Sequence, residues 1–141
     1  MKIVPSEFSN SAWDYFLSSK EIARNNFQQN VDPENLLLAL IKKDNLTNKI
    51  LKRNKINIKR IETELTSLLD AKAKVRYKQK TLFIGENTQK IFSKADHLRI
   101  SFNDVVISTE HILYGLTYDE TCGNLILTTR KFQVFRNCKL R

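Results

Sequence analysis

Two stretches decide the fold of this chain: Asp32-Pro33-Glu34-Asn35-Leu36-Leu37-Leu38-Ala39-Leu40 and, in the second half of the chain, Ser108-Thr109-Glu110-His111-Ile112-Leu113-Tyr114-Gly115-Leu116. Each opens with a residue that favours the N-cap of a helix, carries glutamate in the first turn and continues into apolar side chains. Pro33 suits the first helical position, where its missing N–H removes no hydrogen bond. Both stretches are therefore predicted to begin buried helices.

When the sequence is shifted against itself so that Asp32 aligns with Ser108, residues outside these stretches also align, which indicates an internal duplication. This shift is here called the repeat offset. We predict an all-α fold, in which two pseudo-twofold repeats of a roughly four-helix unit form one compact domain over residues 1–141. Repeat one is expected at about 8–70, a basic linker at 71–85, repeat two at about 86–132 and a poorly defined tail at 133–141. Without a gap, the repeat offset matches Phe16 with Phe92, Ile22 with Leu98, Val31 with Ile107, Asn48 with Asn124, Ile50 with Ile126 and Leu51 with Leu127.

Caps and apolar spacing predict the individual helices. Ser9 is expected to cap a helix that turns Ala12, Trp13, Phe16 and Leu17 toward the core. A separate helix over 20–30 should bring Phe27 inward. The remaining predicted helices are those from Asp32 to about Lys42 and over 46–53, 58–69, 86–101, 109–118 and 122–129, with a less regular segment at 133–141.

Composition bounds the class of protein. The chain has 141 residues, 41% of them hydrophobic, with only three glycines and two prolines, which suits helices better than an all-β fold. No run of 18 apolar residues and no signal-peptide pattern occurs, so we expect a cytoplasmic protein without a membrane segment. Cys122 and Cys138 lack metal-ligand spacing, so we expect free thiols, no metal and no cofactor.

The positive charge is concentrated in one region. Residues 42–80 hold 13 lysines and arginines against 4 acidic residues, whereas the rest of the chain holds 11 of each. A nucleic-acid-binding module is one interpretation, and a solvated surface is the other. We favour the solvated surface because no nucleic-acid motif accompanies the charge. Within 71–85, five cations alternate with other residues, which predicts an extended, mobile linker.

Four segments resemble the amino-terminal domain of the Clp protein unfoldases, most closely the ClpB branch. They are Phe8-Ser9-Asn10-Ser11-Ala12-Trp13, Glu21-Ile22-Ala23, Asp32-Pro33-Glu34-Asn35-Leu36-Leu37 and Ile107-Ser108-Thr109-Glu110-His111-Ile112-Leu113. The likeness runs from about Phe8 to Phe132. The chain departs from the family at Asp32-Pro33, where a small hydroxyl residue and threonine are usual, and at Asn35, where histidine is usual.

The resemblance implies a non-catalytic module that captures unfolded or aggregated client proteins, or adaptors, for an ATP-dependent unfoldase. The parent protein would be a ring oligomer, and the isolated domain a monomer. The chain has no G-x-x-x-x-G-K-[ST] motif, so we expect no ATPase activity from it. Two alternatives stay open: a domain of a longer protein, or a freestanding accessory that docks on a Clp protease.

The candidate binding residues are Ser9, Glu34, Asp104 and Glu110. Glu34 and Glu110 occupy matching first-turn positions, where they either stabilise the helix start or contact basic or phosphorylated-arginine clients. The resemblance implies client contacts for Ser9 and Asp104, although capping alone would explain Ser9. We expect no catalytic residue, because His111 and His97 show no nucleophile and acid at a recognisable spacing.

Overall fold

The structure, a computed structural model, describes residues 3–126, and the predictions for the tail, for Cys138 and for the end of the helix over 122–129 lie outside that range. Seven α-helices lie in the described part, so the predicted all-α class is confirmed. A short 3₁₀ turn, Pro5–Glu7, precedes them. In chain order the elements are α1 Asn10–Asn25, β1 Asn30–Val31, α2 Pro33–Lys43, α3 Asn45–Arg53, α4 Ile58–Asp70, β2 Phe83–Ile84, α5 Glu86–Ser101, α6 Thr109–Leu116 and α7 Glu120–Ile126.

Helix α2 lies at the centre of the fold. Every residue from Pro33 to Ile41 is buried, as expected of a helix that is apolar around most of its circumference. It packs against α1 and α4, while α5 packs against α6. Between the repeats, the rings of Phe8, Trp13, Phe16 and Phe92 contact one another in tilted or edge-to-face arrangements, with centroid separations of 5.3 to 5.7 Å. The predicted core positions of Ala12 and Phe16 are confirmed, whereas Trp13 is partly buried and Leu17 is 40% exposed, so the prediction for Leu17 is wrong.

The first helix differs from the prediction. Residues 10–25 form one continuous helix, where the sequence suggested two. Ser19 does not interrupt it, because its hydroxyl donates a hydrogen bond to the carbonyl oxygen of Phe16 and leaves the helix intact. The chain then reverses at Phe27, which has a φ of 57°. That reversal leaves the Phe27 ring 38% exposed, so its predicted inward position is wrong.

The repeat offset reappears in the helix bounds. It carries both ends of α1 onto the ends of α5, and the start of α2 onto the start of α6. It also carries Phe27 onto Asn103, which has the same φ of 57°. These matches support our proposal of two repeats.

The strand pairings follow the same offset and link the two repeats reciprocally. Val31 pairs in parallel with Ile84, and Ile107 forms a parallel bridge with Phe8. The repeat offset carries Val31 onto Ile107 and Phe8 onto Ile84, so it converts one pairing into the other. Each pairing therefore joins the segment before the first helix of one repeat to the segment before the second helix of the other, which is the pattern expected of a pseudo-twofold axis.

Residues 71–82 contain no helix and no strand, and the end of the predicted linker forms β2. The segment is nevertheless attached to repeat one. The Val75 N–H donates to the carbonyl oxygen of Phe27 at 2.7 Å, and the Arg24 Nε donates to that of Gln79 at 2.9 Å. These contacts were not foreseen, and the mobility of the segment stays a prediction. No helix of the described part has the length and apolarity that crossing a bilayer requires.

Candidate functional site

Ser9, Asp104 and Glu110 lie at one corner of the molecule, around the loop between α5 and α6. The Ser9 hydroxyl caps α1 by accepting the Ala12 N–H at 3.1 Å, which confirms its predicted capping role. The Ser9 N–H donates to the carbonyl oxygen of Ile107 at 2.9 Å, so the start of α1 touches this loop. Glu110 Oε1 lies 3.3 Å from Ser108 Oγ. Ser9 and Glu110 thus each contact this loop, and Asp104 lies within it.

A hydrogen-bonded chain of Ser108, His111 and Asp104 supports this corner. Ser108 Oγ lies 2.9 Å from His111 Nδ1, and His111 Nε2 lies 2.8 Å from Asp104 Oδ2. The expectation that His111 lacks an acid and a hydroxyl partner was therefore wrong. Sequence spacing did not show the contact, because the left-handed turn at Asn103 folds Asp104 back toward α6.

The bonding of His111 indicates a structural role rather than catalysis. The Ser108 backbone N–H donates to Nδ1 at 2.8 Å, which assigns the ring proton to Nε2, facing Asp104. The only lone pair that could take a proton from the Ser108 hydroxyl is therefore shared with a backbone donor. The imidazole is also 1% exposed, so a substrate would not reach it.

Repeat one has the same hydrogen-bonded chain, but the two side chains that replace His111 and Asp104 are uncharged amides. At the positions that the repeat offset matches, Gln28 Nε2 donates to Asn35 Oδ1 at 2.9 Å, and the same oxygen accepts the Asp32 N–H at 2.9 Å. An amide pair thus replaces the histidine and carboxylate. The shared function of both chains is to fix the loop before a helix, which is the role of a capping box.

Glu34 belongs to a different group of residues. It is 7% exposed, and its Oε2 lies 2.9 Å from the Nζ of Lys72, which also lies 3.2 Å from Asp32 Oδ2. Burial alone would lower the pKa of Lys72, but the hydrogen bond and charge of Glu34, helped by Asp32, raise it above its ordinary value. In this conformation Glu34 is covered by a cation of the same chain.

Glu34, Asp119 and Cys122 place one ligand atom each within 4.8 Å of one another. Burial, reinforced by Asp119 and Glu34, raises the pKa of the Cys122 thiol well above its ordinary value. A protonated thiol is a poor metal ligand, and Lys72 already neutralises Glu34. The group therefore gives little support to a metal site, and the absence of a metal stays a prediction.

Apolar side chains are exposed near the corner that holds Ser9, Asp104 and Glu110. Val105 is 89% exposed and Ile100 is 56% exposed, and Val105 directly follows Asp104 in the loop. Sequence reasoning missed both as surface residues, since apolar side chains near a helix end are more often buried. Exposed apolar atoms beside carboxylates suit segments that combine apolar and basic residues.

A separate cavity of about 650 Å³ lies between the first half of α5 and the turn from α6 to α7. Its lining includes Glu86, Lys90, Lys94 and Tyr118, and it includes none of the four candidate residues. This cavity is contained in repeat two.

Comparison with known proteins places the chain in a family. The family model described as "Clp repeat (R) N-terminal domain" matches residues 7–129. The chain is 31% identical over 131 residues to the chaperone protein ClpB of Prochlorococcus marinus, covering 93% of this chain and 15% of that protein. It is 32% identical over 124 residues to chaperone protein ClpB 1 of a Nostoc species, covering 87% of this chain and 14% of that protein.

Solved structures agree on the fold. The Hsp104 N-terminal domain from Candida albicans superposes with a TM-score of 0.82 at 17% identity, covering 94% of this chain and 91% of that one. The N-terminal domain of ClpD from Arabidopsis thaliana gives 0.67 at 21% identity, with 89% and 86% covered. The chain spans only about a seventh of the length of its ClpB relatives. With a family match from residue 7 to residue 129, the chain belongs to the Clp repeat N-terminal domain family.

Proposed function

We propose that this chain is a non-enzymatic protein-binding module that captures unfolded or aggregated client proteins, or adaptors, for an ATP-dependent Clp chaperone. The observation that supports the proposal is the placement of Ser9, Asp104 and Glu110 around the loop between α5 and α6, which carries the exposed Val105. Membership of the family supports it, because the relatives with matching sequence are ClpB chaperones.

The chemistry of this corner sets the class of client. Carboxylates at a helix start attract lysine and arginine side chains, and Val105 offers an apolar contact beside them. An extended segment with both kinds of side chain would satisfy both features. A contact through a few side chains buries less area than a standard protein interface, so we expect affinities of about micromolar or weaker.

Glu110 is the residue to change first. The Glu110→Gln substitution keeps the size of the side chain and removes its charge. A hydrogen bond to a charged group contributes about 1.5–3 kcal/mol, and about 1.4 kcal/mol corresponds to tenfold in affinity, so at least about a tenfold loss is expected. Fluorescence anisotropy with a labelled, unfolded basic peptide measures the loss.

Glu86→Gln is the matched control. Glu86 is also a first-turn glutamate, at the start of α5, and its side chain is 86% exposed. Loss of helix-end electrostatics alone would therefore affect both variants alike. A folded Glu110→Gln variant that binds the peptide as tightly as the wild type would refute the proposed site.

Charge reversal of Glu34 is a poorer test. The structure buries Glu34 against Lys72. A lysine at position 34 would face that ammonium group, and removing one partner of a buried pair costs about 3–5 kcal/mol.

The accessory alternative has its own experiment. A freestanding regulator should bind an assembled Clp ring, whereas a client-capturing domain should bind unfolded peptide without the ring. Analytical ultracentrifugation of the chain with a purified ring separates the two. Co-sedimentation without peptide binding would favour the accessory.

A further inference from the structure

Lys72 lies in the acidic start of α2 as a bound ligand would. Its Nζ lies 2.9 Å from Glu34 Oε2 and 3.2 Å from Asp32 Oδ2, so one ammonium group links the cap residue and the first-turn glutamate. The Lys72 side chain is 28% exposed, and that of Glu34 only 9%. Access to Glu34 is therefore controlled by Lys72.

The residues after Lys72 also contact repeat one. The Val75 N–H donates to the carbonyl oxygen of Phe27 at 2.7 Å. Residues 72–75 line an open cavity of about 300 Å³ together with Gln28, Gln29, Asn30 and Asp32. The Lys74 Nζ also donates to the carbonyl oxygen of Leu69 at 2.9 Å, so a few polar contacts hold the segment against repeat one, with incomplete packing beneath it.

The position of Glu34 makes this contact informative. Glu34 and Glu110 are related by the repeat offset and occupy the second position of matching helices. A basic side chain that a client offers to such a glutamate would make the contact that Lys72 makes. The ammonium group of Lys72 therefore occupies the position that a basic side chain of a client would take at Glu34.

We infer that residues 72–75 are a tethered ligand of the acidic start of α2, and that a basic client segment binds at Glu34 only by displacing Lys72. The inference rests on the proposed function and names its ligand: a lysine or arginine side chain on an extended segment. The tether holds this second site closed. The corner at Glu110 does not depend on it.

The expected gain in peptide affinity depends on the fraction of molecules in which the tether leaves the site open. If the tether leaves the site open in about one molecule in ten, removing it raises the apparent affinity about tenfold. The probe is a fluorescein-labelled peptide with the sequence of residues 70–82, titrated into the full 141-residue chain.

Two variants release the tether by different routes. Lys72→Met removes the ammonium group and keeps the apolar stem. Val75→Pro removes the N–H that bonds to Phe27 and leaves every charge in place. The control is Lys80→Met, which removes a charge from an exposed position in the same segment.

The inference predicts tighter peptide binding by Lys72→Met and by Val75→Pro, and unchanged binding by Lys80→Met. Adding Glu34→Gln to Lys72→Met should return the affinity to the wild-type value. If Lys72→Met does not fold, Val75→Pro decides the question alone. Unchanged affinity in the folded tether variants would overturn the inference.

The outcome also separates this inference from the proposed function. If the wild type binds an unfolded client through Glu110 while the tether variants gain nothing, only the tether is wrong. If no form of the chain binds a basic peptide, both fail.

Discussion

Gly115 is a point where α6 comes very close to α5, and Gly115→Ala tests the packing of repeat two. An alanine Cβ there would lie 2.5 Å from the carbonyl oxygen of Ile91 and 3.0 Å from its Cγ2. The oxygen belongs to the backbone of a helix and cannot rotate away. The two helices must therefore separate or tilt to admit the methyl group.

Two effects of opposite sign determine the result. Replacing glycine by alanine inside a helix normally stabilises by about 0.5–1 kcal/mol. Overpacking a close contact destabilises by about 1–3 kcal/mol, and a backbone clash lies toward the upper end, so the net loss should be about 1–2 kcal/mol. Ala39, the matching residue of repeat one, is itself buried at 1% exposure, so alanine is accommodated there.

Urea denaturation followed by circular dichroism measures the free energy of unfolding of the variant. His97→Ala is the control, since His97 is exposed on α5 and its replacement should change stability by no more than about 0.5 kcal/mol. The sign of the change in the free energy of unfolding decides the test. A Gly115→Ala variant as stable as the wild type, or more stable, would refute the close approach of α5 and α6.

Three further predictions concern charge and reactivity. Because the pKa of Lys72 is raised above its ordinary value of 10.5, its pairing should stabilise the fold fully below that pH and be lost as the pH rises through the folded-state pKa. A Lys72→Met variant should lack this part of the alkaline loss in pH-dependent urea melts, and identical profiles would contradict the ion pair. Cys122 is buried with a raised pKa, so mass spectrometry should show iodoacetamide modifying it only as fast as the protein opens, and rapid labelling of the native protein would contradict its burial. If residues 42–80 form a solvated surface, duplex DNA and structured RNA should bind weakly and without specificity in about 0.15 M salt; tight, specific binding with a steep salt dependence would reverse that interpretation.

The sequence was informative where the physics is local. The start of α2 follows from Asp32 and Pro33, because N-cap chemistry involves only neighbouring residues. The start of α6 follows from Ser108 for the same reason. The repeat offset alone predicts that Glu34 and Glu110 occupy matching helix positions.

Contacts between distant residues were not predictable in the same way. Lys72 and Glu34 are far apart in the sequence, and no periodicity marks one lysine among the many basic residues of 42–80 as the buried partner. The prediction of a separate helix over 20–30 was wrong because Ser19 is tolerated inside α1, where its hydroxyl bonds to the preceding turn. The contact of His111 with Asp104 could have been suspected from the capping box, since histidine stands at the third helical position after Ser108.

Amide chemical-shift mapping shows whether clients bind at the corner formed by Ser9, Asp104 and Glu110. An unfolded basic peptide is titrated into the ¹⁵N-labelled chain, and the amide shifts are followed residue by residue. We expect the largest shifts at residues 7–10 and 103–110, and smaller ones around Glu34 that grow when Lys72 is replaced by methionine. Shifts confined to the basic residues of 42–60, or no shifts at all with the peptide in excess, would rule out binding at this corner.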